Sequence, residues 1–134
     1  MTDVRRLPGP IADLWDWQLQ GRCRGGDSTR FFHPDGERGP RRARREAEAK
    51  AVCRACPVRA ECALHALRVR EPYGVWGGFS ESERLALIDT GWEDLAAGGR
   101  VDLRQLELRL LRRAGTLRCR QRPSARSRPA TKVA

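Results

Sequence analysis

Three cysteines fall within ten residues, at Cys53, Cys56 and Cys62, and a fourth, Cys23, lies upstream in a polar, glycine-rich stretch. A Cys53-x2-Cys56-x5-Cys62 run with one remote partner is a metal or iron–sulfur pattern, because soft sulfur donors from separate segments can enclose one centre. Four thiolates serve either tetrahedral zinc or a cubane cluster. Structural zinc sites usually draw two closely spaced pairs from short knuckles. A triplet plus a lone distant cysteine fits a cluster somewhat better, but spacing alone does not decide between them. His33 and His65 are further candidates, although a single histidine in a turn or on a helix is more often an ordinary polar residue. The competing enzyme chemistry is a thiol–disulfide reductase built on Cys53 and Cys56. That site needs a βαβ setting, and no strand is legible in this sequence.

Soon after the thiols comes Gly74-Val75-Trp76-Gly77-Gly78. Three glycines around one tryptophan describe a tight turn whose backbone can approach another group closely. Trp76 is held on that turn, outside any helix stripe. Upstream, Phe31 and Phe32 sit close enough to Cys23 in sequence to wall a cofactor from solvent, and ordinary core packing explains them nearly as well.

Helices must bring these residues together. Ile11, Leu14, Trp15 and Leu19 recur at helical spacing, so a short helix is expected over 11–20. It places Trp15 and Trp17 on different faces, one for the core and the other for an interface, with plain packing the commoner role for either, and Gly21 ends it. Asp27-Ser28 caps a turn that presents the two phenylalanines. Residues 41–56 are rich in Ala, Arg, Glu and Lys and predict a helix, which Pro57 stops at Cys56. Pro57 then opens the next helix, running to about Arg70, with Cys62 on its second turn. Three sulfurs thus converge from two helices across one break. Ser80-Glu81-Ser82-Glu83 is a capping box for a helix carrying Leu85, Leu87 and Ile88.

The apolar inventory is thin. No Val, Leu, Ile, Met, Phe, Trp or Tyr occurs between His33 and Ala51. So small a core calls for a staple: a metal, a disulfide or a partner. No long apolar run predicts a membrane span, and the N-terminus lacks the apolar stretch of a secretory signal. A cytoplasmic chain with reduced thiols is expected, which favours ligation over a disulfide framework. The net charge of +10 is unevenly placed: residues 1–99 carry 16 basic and 15 acidic side chains, and residues 100–134 carry 11 and 2. The compact part is nearly neutral, and the C-terminal part is a polycation of the kind that binds nucleic acid.

Taken together, Cys23, Cys53-x2-Cys56-x5-Cys62 and Gly-Val-Trp-Gly-Gly resemble the WhiB-like regulators of actinobacteria. The resemblance runs from about Leu7 to Ile88 and includes Trp15-Asp-Trp17-Gln, Phe31-Phe32-His-Pro-Asp-Gly-Glu-Arg38 and Cys56-Pro57-Val58. It implies a 4Fe–4S cluster on Cys23, Cys53, Cys56 and Cys62, sensitive to oxygen and nitric oxide. It implies that the cluster-bearing face binds region 4 of the primary sigma factor of RNA polymerase. The resemblance further implies that Trp76 lies in that contact, and Gly74, Gly77, Gly78, Phe31, Phe32, Trp15 and Trp17 are assigned to the same face. Leu7-Pro-Gly-Pro10 and His33-Pro-Asp-Gly36 are similar to the branch tied to redox sensing and developmental control. The expected fold is all-α, a small helical domain assembled around a four-cysteine iron–sulfur cluster. The expected role is a transcriptional regulator and not an enzyme. A structural zinc module and the apo-form disulfide reductase are the alternatives.

Three segments follow: a cluster domain over 1–90, an extension with a helix over 91–111, and a basic tail over 112–134 that composition marks as disordered. The extension's helix is expected over 101–114 on Leu103, Leu106, Leu110 and Leu111, either packed on the domain or as an unstable appendage. Arg112, Arg113, Arg118, Arg120, Arg122, Arg126, Arg128 and Lys132 are assigned to DNA, chiefly to phosphates. Arg120-Gln121-Arg122-Pro123 is like an AT-hook core, but Gln121 stands where glycine lets that backbone sit deep in the minor groove. Cys119, between two arginines, is expected to be a reactive thiol and not a ligand.

Overall fold

The computed structural model describes residues 15–120, with side chains described through residue 115. Among them are four α-helices: α1 (Gly39–Arg54), α2 (Arg59–Val69), α3 (Glu81–Thr90) and α4 (Leu103–Arg120). Short 3₁₀ turns lie at Asp16–Gln20, Ser28–Arg30 and Glu93–Leu95. An antiparallel hairpin joins β1 (Ala96–Ala97) to β2 (Arg100–Val101). The fold is mostly helical, as expected, and the hairpin is an addition the sequence pattern did not announce.

Helix α1 forms on propensity, since only Ala49 and Cys53 are buried along it. Arg42 and Glu46 add an i,i+4 pair at 3.1 Å. Pro57 bars helical geometry at Cys56, and the helix gives way at Ala55. Contrary to expectation, Pro57 does not open α2: it lies in a turn, and α2 begins at Arg59. Cys62 therefore closes the first turn of α2 instead of sitting on its second. At the other end Arg70 adopts φ 55° and donates its N–H to Ala66 O, which also accepts Glu71 N–H at 3.0 Å, so the left-handed residue closes the helix.

The Ser80 capping box is formed: Ser80 N–H donates to Glu83 Oε2 at 2.8 Å and Glu83 N–H to Ser80 Oγ at 3.4 Å. The helix expected over 11–20 is a 3₁₀ turn where it is described, closed by Gly21 N–H to Gln18 O at 3.1 Å. Ile11 and Leu14 lie outside the described residues.

One core unites α2, α3 and the extension. Ala63, Leu64 and Leu67 meet Phe79, Leu87, Trp92, Val101 and Leu106, all buried. The extension is thus no appendage: Trp92 and the hairpin bring the chain back over α2, and α4 lays Leu103, Leu106 and Leu110 on the same core. Helix α4 also continues to Arg120 instead of ending at Ala114. Arg, Ala and Leu after Leu111 favour helix, and the single Gly115 is not enough to break it. A second small cluster, Ala49, Cys53 and Val75 with Phe31 against it, lies beneath the thiols.

Candidate metal centre

The four expected ligands line one cavity of about 400 Å³. Cys53 reaches it from the last turn of α1, Cys56 from the break, Cys62 from the first turn of α2 and Cys23 from the N-terminal loop. Phe31, Phe32, Val52, Val58, Val75 and Trp76 supply apolar wall. Cys53 is buried and Cys23 exposed. Burial pushes the Cys62 thiol up to about 12, against the pull of the Gly77 N–H, which donates to its Sγ at 3.2 Å. Burial likewise raises the Cys53 thiol, opposed by the Gly78 N–H and the Arg59 charge. Ligation by these sulfurs must therefore displace protons. A raised thiol is the opposite of what a redox nucleophile needs, which disfavours Cys53 as the attacking thiol of a reductase.

Among the described residues, no group of three His, Cys, Asp or Glu side chains is gathered tightly enough to hold a single metal ion. The sulfurs are instead distributed around a space.

The glycine turn closes the cavity. Trp76 and Phe79 exchange backbone hydrogen bonds of 3.1 and 2.9 Å, with Gly77 and Gly78 at the corner. A Cβ at Gly77 would lie 2.6 Å from Ala63 Cβ, so the turn rests directly on α2. Val75 N–H donates to Phe31 O at 2.8 Å and ties the turn to the aromatic pair. Two side chains to which the sequence assigned no part in the turn fix its course. Arg84, 1% exposed, donates to the carbonyls of Glu71, Tyr73, Gly74 and Phe79. Glu81 accepts Gly74 N–H at 2.7 Å and meets both His33 Nε2 and Arg42 Nη2 at 3.2 Å. Burial works against the Glu81 charge, but the Gly74 N–H, His33 and Arg42 outweigh it and hold its carboxyl below the usual range. The only sequence signal for Arg84 was a charged residue inside an apolar helix stripe.

His33 and His65 do not line the cavity. His65 sits among three tryptophans, its ring 4.8 Å from Trp15, 5.8 Å from Trp17 and 5.6 Å from Trp76. Trp15, at the N-cap of the 3₁₀ turn, and Trp17 within it thus meet the same residue, and neither enters the core. Trp76 Nε1–H donates to Tyr73 O at 2.9 Å.

Of the residues assigned to DNA, Arg113 is engaged with α3, donating to Ala86 O at 3.0 Å and pairing with Asp89 at 3.5 Å. Arg112 has an interaction of its own. Arg118 and Arg120 lie on the last turns of α4, in a stretch whose side chains are not described, as does Cys119. Arg122, Arg126, Arg128 and Lys132 lie outside the described residues.

Fold and site together define a class: a small helical domain that gathers four thiols around one cavity beneath a glycine–tryptophan turn. Residues 17–87 match the family described as Transcription factor WhiB. The chain is 64% identical over 97 residues to the Transcriptional regulator WhiD of Streptomyces coelicolor, covering 72% of this chain and 87% of that one. It is 63% identical over 91 residues to the Redox-responsive transcriptional regulator WhiB3 of Mycolicibacterium smegmatis, covering 68% and 95%. A third relative, the Redox- and pH-responsive transcriptional regulator WhiB3 of Mycobacterium tuberculosis, is 64% identical over 88 residues, covering 66% and 86%. The chain belongs to the WhiB family of transcription factors. These relatives are named as regulators, not as enzymes, and no described helix is long and apolar enough to cross a membrane.

Proposed function

We propose that this protein is a redox- and nitric-oxide-responsive transcriptional regulator. It holds a 4Fe–4S cluster on Cys23, Cys53, Cys56 and Cys62, binds region 4 of the primary sigma factor, and contacts promoter DNA through its basic C-terminal segment. The observation that carries this reading is the placement of all four thiols around one apolar-walled cavity. When bound, the cluster supplies an iron–sulfur core that oxygen and nitric oxide can attack. The chain's own part is to exclude water with Phe31, Val58 and Val75, and to aim the Gly77 and Gly78 N–H groups at two of the sulfurs. Exposed Cys23 leaves one side open to small oxidants. The relatives named as redox-responsive support the same reading.

The sigma-binding assignment is supported by aromatic and apolar surface left in solvent around the site. Phe32 and Leu19 line the cavity yet are 46% and 58% exposed, and Trp15 and Tyr73 are exposed nearby in the chain. Large aromatics left in water beside a site mark a protein contact.

Anaerobic co-expression with the sigma C-terminal domain, followed by iron, sulfide and zinc analysis, tests the proposal. A brown 1:1 complex with about four irons and four sulfides per chain is expected. A colourless protein with stoichiometric zinc would overturn it.

A further inference from the structure

Arg59, the first residue of α2, reaches two parts of the molecule at once. Its Nε–H donates to Gly77 O at 2.9 Å, and its Nη2–H donates to Glu107 Oε1 on α4 at 2.7 Å. Its guanidinium lies 5.7 Å from the centre of the Phe79 ring. A Cβ at Gly78 would come within 2.9 Å of that guanidinium, so the turn passes Arg59 as closely as glycine allows. The same side chain lines both the thiol cavity and the groove beside α4.

Gly77 C=O and Gly78 N–H belong to one rigid peptide plane. The carbonyl accepts from Arg59, and the N–H faces the Cys53 sulfur. The Gly77 N–H, on the adjoining plane, donates to Cys62 Sγ. Hydrogen bonds therefore follow one another from Cys62 Sγ to Gly77 N–H and, across the Gly77 Cα, from Gly77 O through Arg59 to Glu107. Bonds in such a chain polarise one another, and a rotation of the shared plane is felt at both ends. Glu107 lies outside the family-matched residues 17–87, and α4 leads into the strongly basic end of the chain.

We propose that Arg59 is a positioning residue that couples the thiol cavity to α4, so that the state of the group bound at Cys53 and Cys62 reaches the base of the basic C-terminal segment. The inference rests on the cluster reading above and adds a route out of it. Coupling between two sites is reciprocal, so a change at Glu107 must also be felt at the sulfurs.

The test uses full-length protein purified anaerobically, with Glu107→Gln as the perturbation. The Glu107 side chain is 49% exposed, so its replacement does not threaten the fold. Asp94→Asn is the control: it removes the partner of Arg109, another ion pair anchoring α4, but one that makes no contact with the turn. Two quantities are read: the rate at which visible absorbance is lost under a fixed oxygen concentration, and amide hydrogen exchange over residues 104–110 before and after that loss. Glu107→Gln should accelerate the loss by about threefold, the scale of one surface charge-assisted bond, while Asp94→Asn stays at the wild-type rate. Cluster loss should speed α4 exchange in the wild type and change it far less in Glu107→Gln. A preparation without iron and sulfide overturns the cluster reading and the coupling with it. A brown protein whose decay rate and α4 exchange ignore Glu107→Gln overturns the coupling alone.

Discussion

Replacing Gly77 by alanine tests the claim that the turn's backbone is pressed onto α2. The added Cβ would stand 2.6 Å from both Cβ and N of Ala63 and 2.7 Å from its Cα, inside any permitted contact and against atoms that cannot rotate away. Gly77 also holds φ +57°, a left-handed conformation that costs an L-residue roughly 1–2 kcal/mol. Forcing close-packed backbone apart adds about 1–3 kcal/mol. The sum is roughly 2–5 kcal/mol, a large part of the 5–15 kcal/mol typical of a folded domain. Gly98 separates the two terms. It has the same φ of +57° but nothing within 4 Å of its Cβ position, so Gly98→Ala carries only the conformational cost. Urea unfolding of anaerobic protein, followed by far-UV circular dichroism, measures both. With a denaturant slope of about 1–3 kcal/mol per molar, the steric term should set the two midpoints apart by about 1 M. Visible absorbance should disappear earlier in Gly77→Ala, because the N–H that faces Cys62 is displaced. If Gly77→Ala is no less stable than Gly98→Ala, the close approach is not what holds the turn.

Four further outcomes are expected. Cys62→Ser should lose iron and sulfide on analysis, whereas Cys119→Ser should retain both. Trp76→Ala should weaken binding to sigma region 4 by about 2 kcal/mol or more in calorimetry while keeping its visible absorption; loss of that absorption would make Trp76 a wall of the cavity instead. The Pro34 carbonyl and Glu81 face opposite nitrogens of the His33 ring, and both hold its pKa above the ordinary value of 6.5. A raised folded value means the stabilisation is complete below 6.5 and is lost as pH rises through the folded pKa. Urea midpoints should therefore fall across that window in the wild type and show a flatter profile in His33→Gln. Truncation after Arg120, which leaves α4 whole, should weaken binding of the sigma complex to promoter DNA. Its salt dependence should flatten by about 0.9 log units for each phosphate the tail had neutralised. An unchanged slope in that filter-binding assay would remove the tail from the DNA interface.

Much of this protein is written locally. Cys53, Cys56 and Cys62 fall on either side of a break because Pro57 disfavours helical geometry at the residue before it, and that is decided between neighbours. The Ser80–Glu83 capping box is likewise a contact of three residues' span, and it forms where the pattern put it. Helix α1 needs no partner to be foreseen, since its Ala, Arg and Glu content favours helix wherever it stands. The tertiary structure decided the rest. Arg84 looks like a surface cation in sequence, yet it is buried because the loop leaving α2 turns four carbonyls toward it, of Glu71, Tyr73, Gly74 and Phe79. Trp92, Val101 and Leu106 belong to the core only once the hairpin folds the chain back over α2, a closure that depends on contacts some thirty residues apart. Trp15 and Trp17 against His65, and Arg59 against Glu107, join segments 48 or more residues distant in sequence. Local propensity carries no information about such partners. They are chosen when apolar surface is buried and the polar groups carried inside it must find hydrogen bonds.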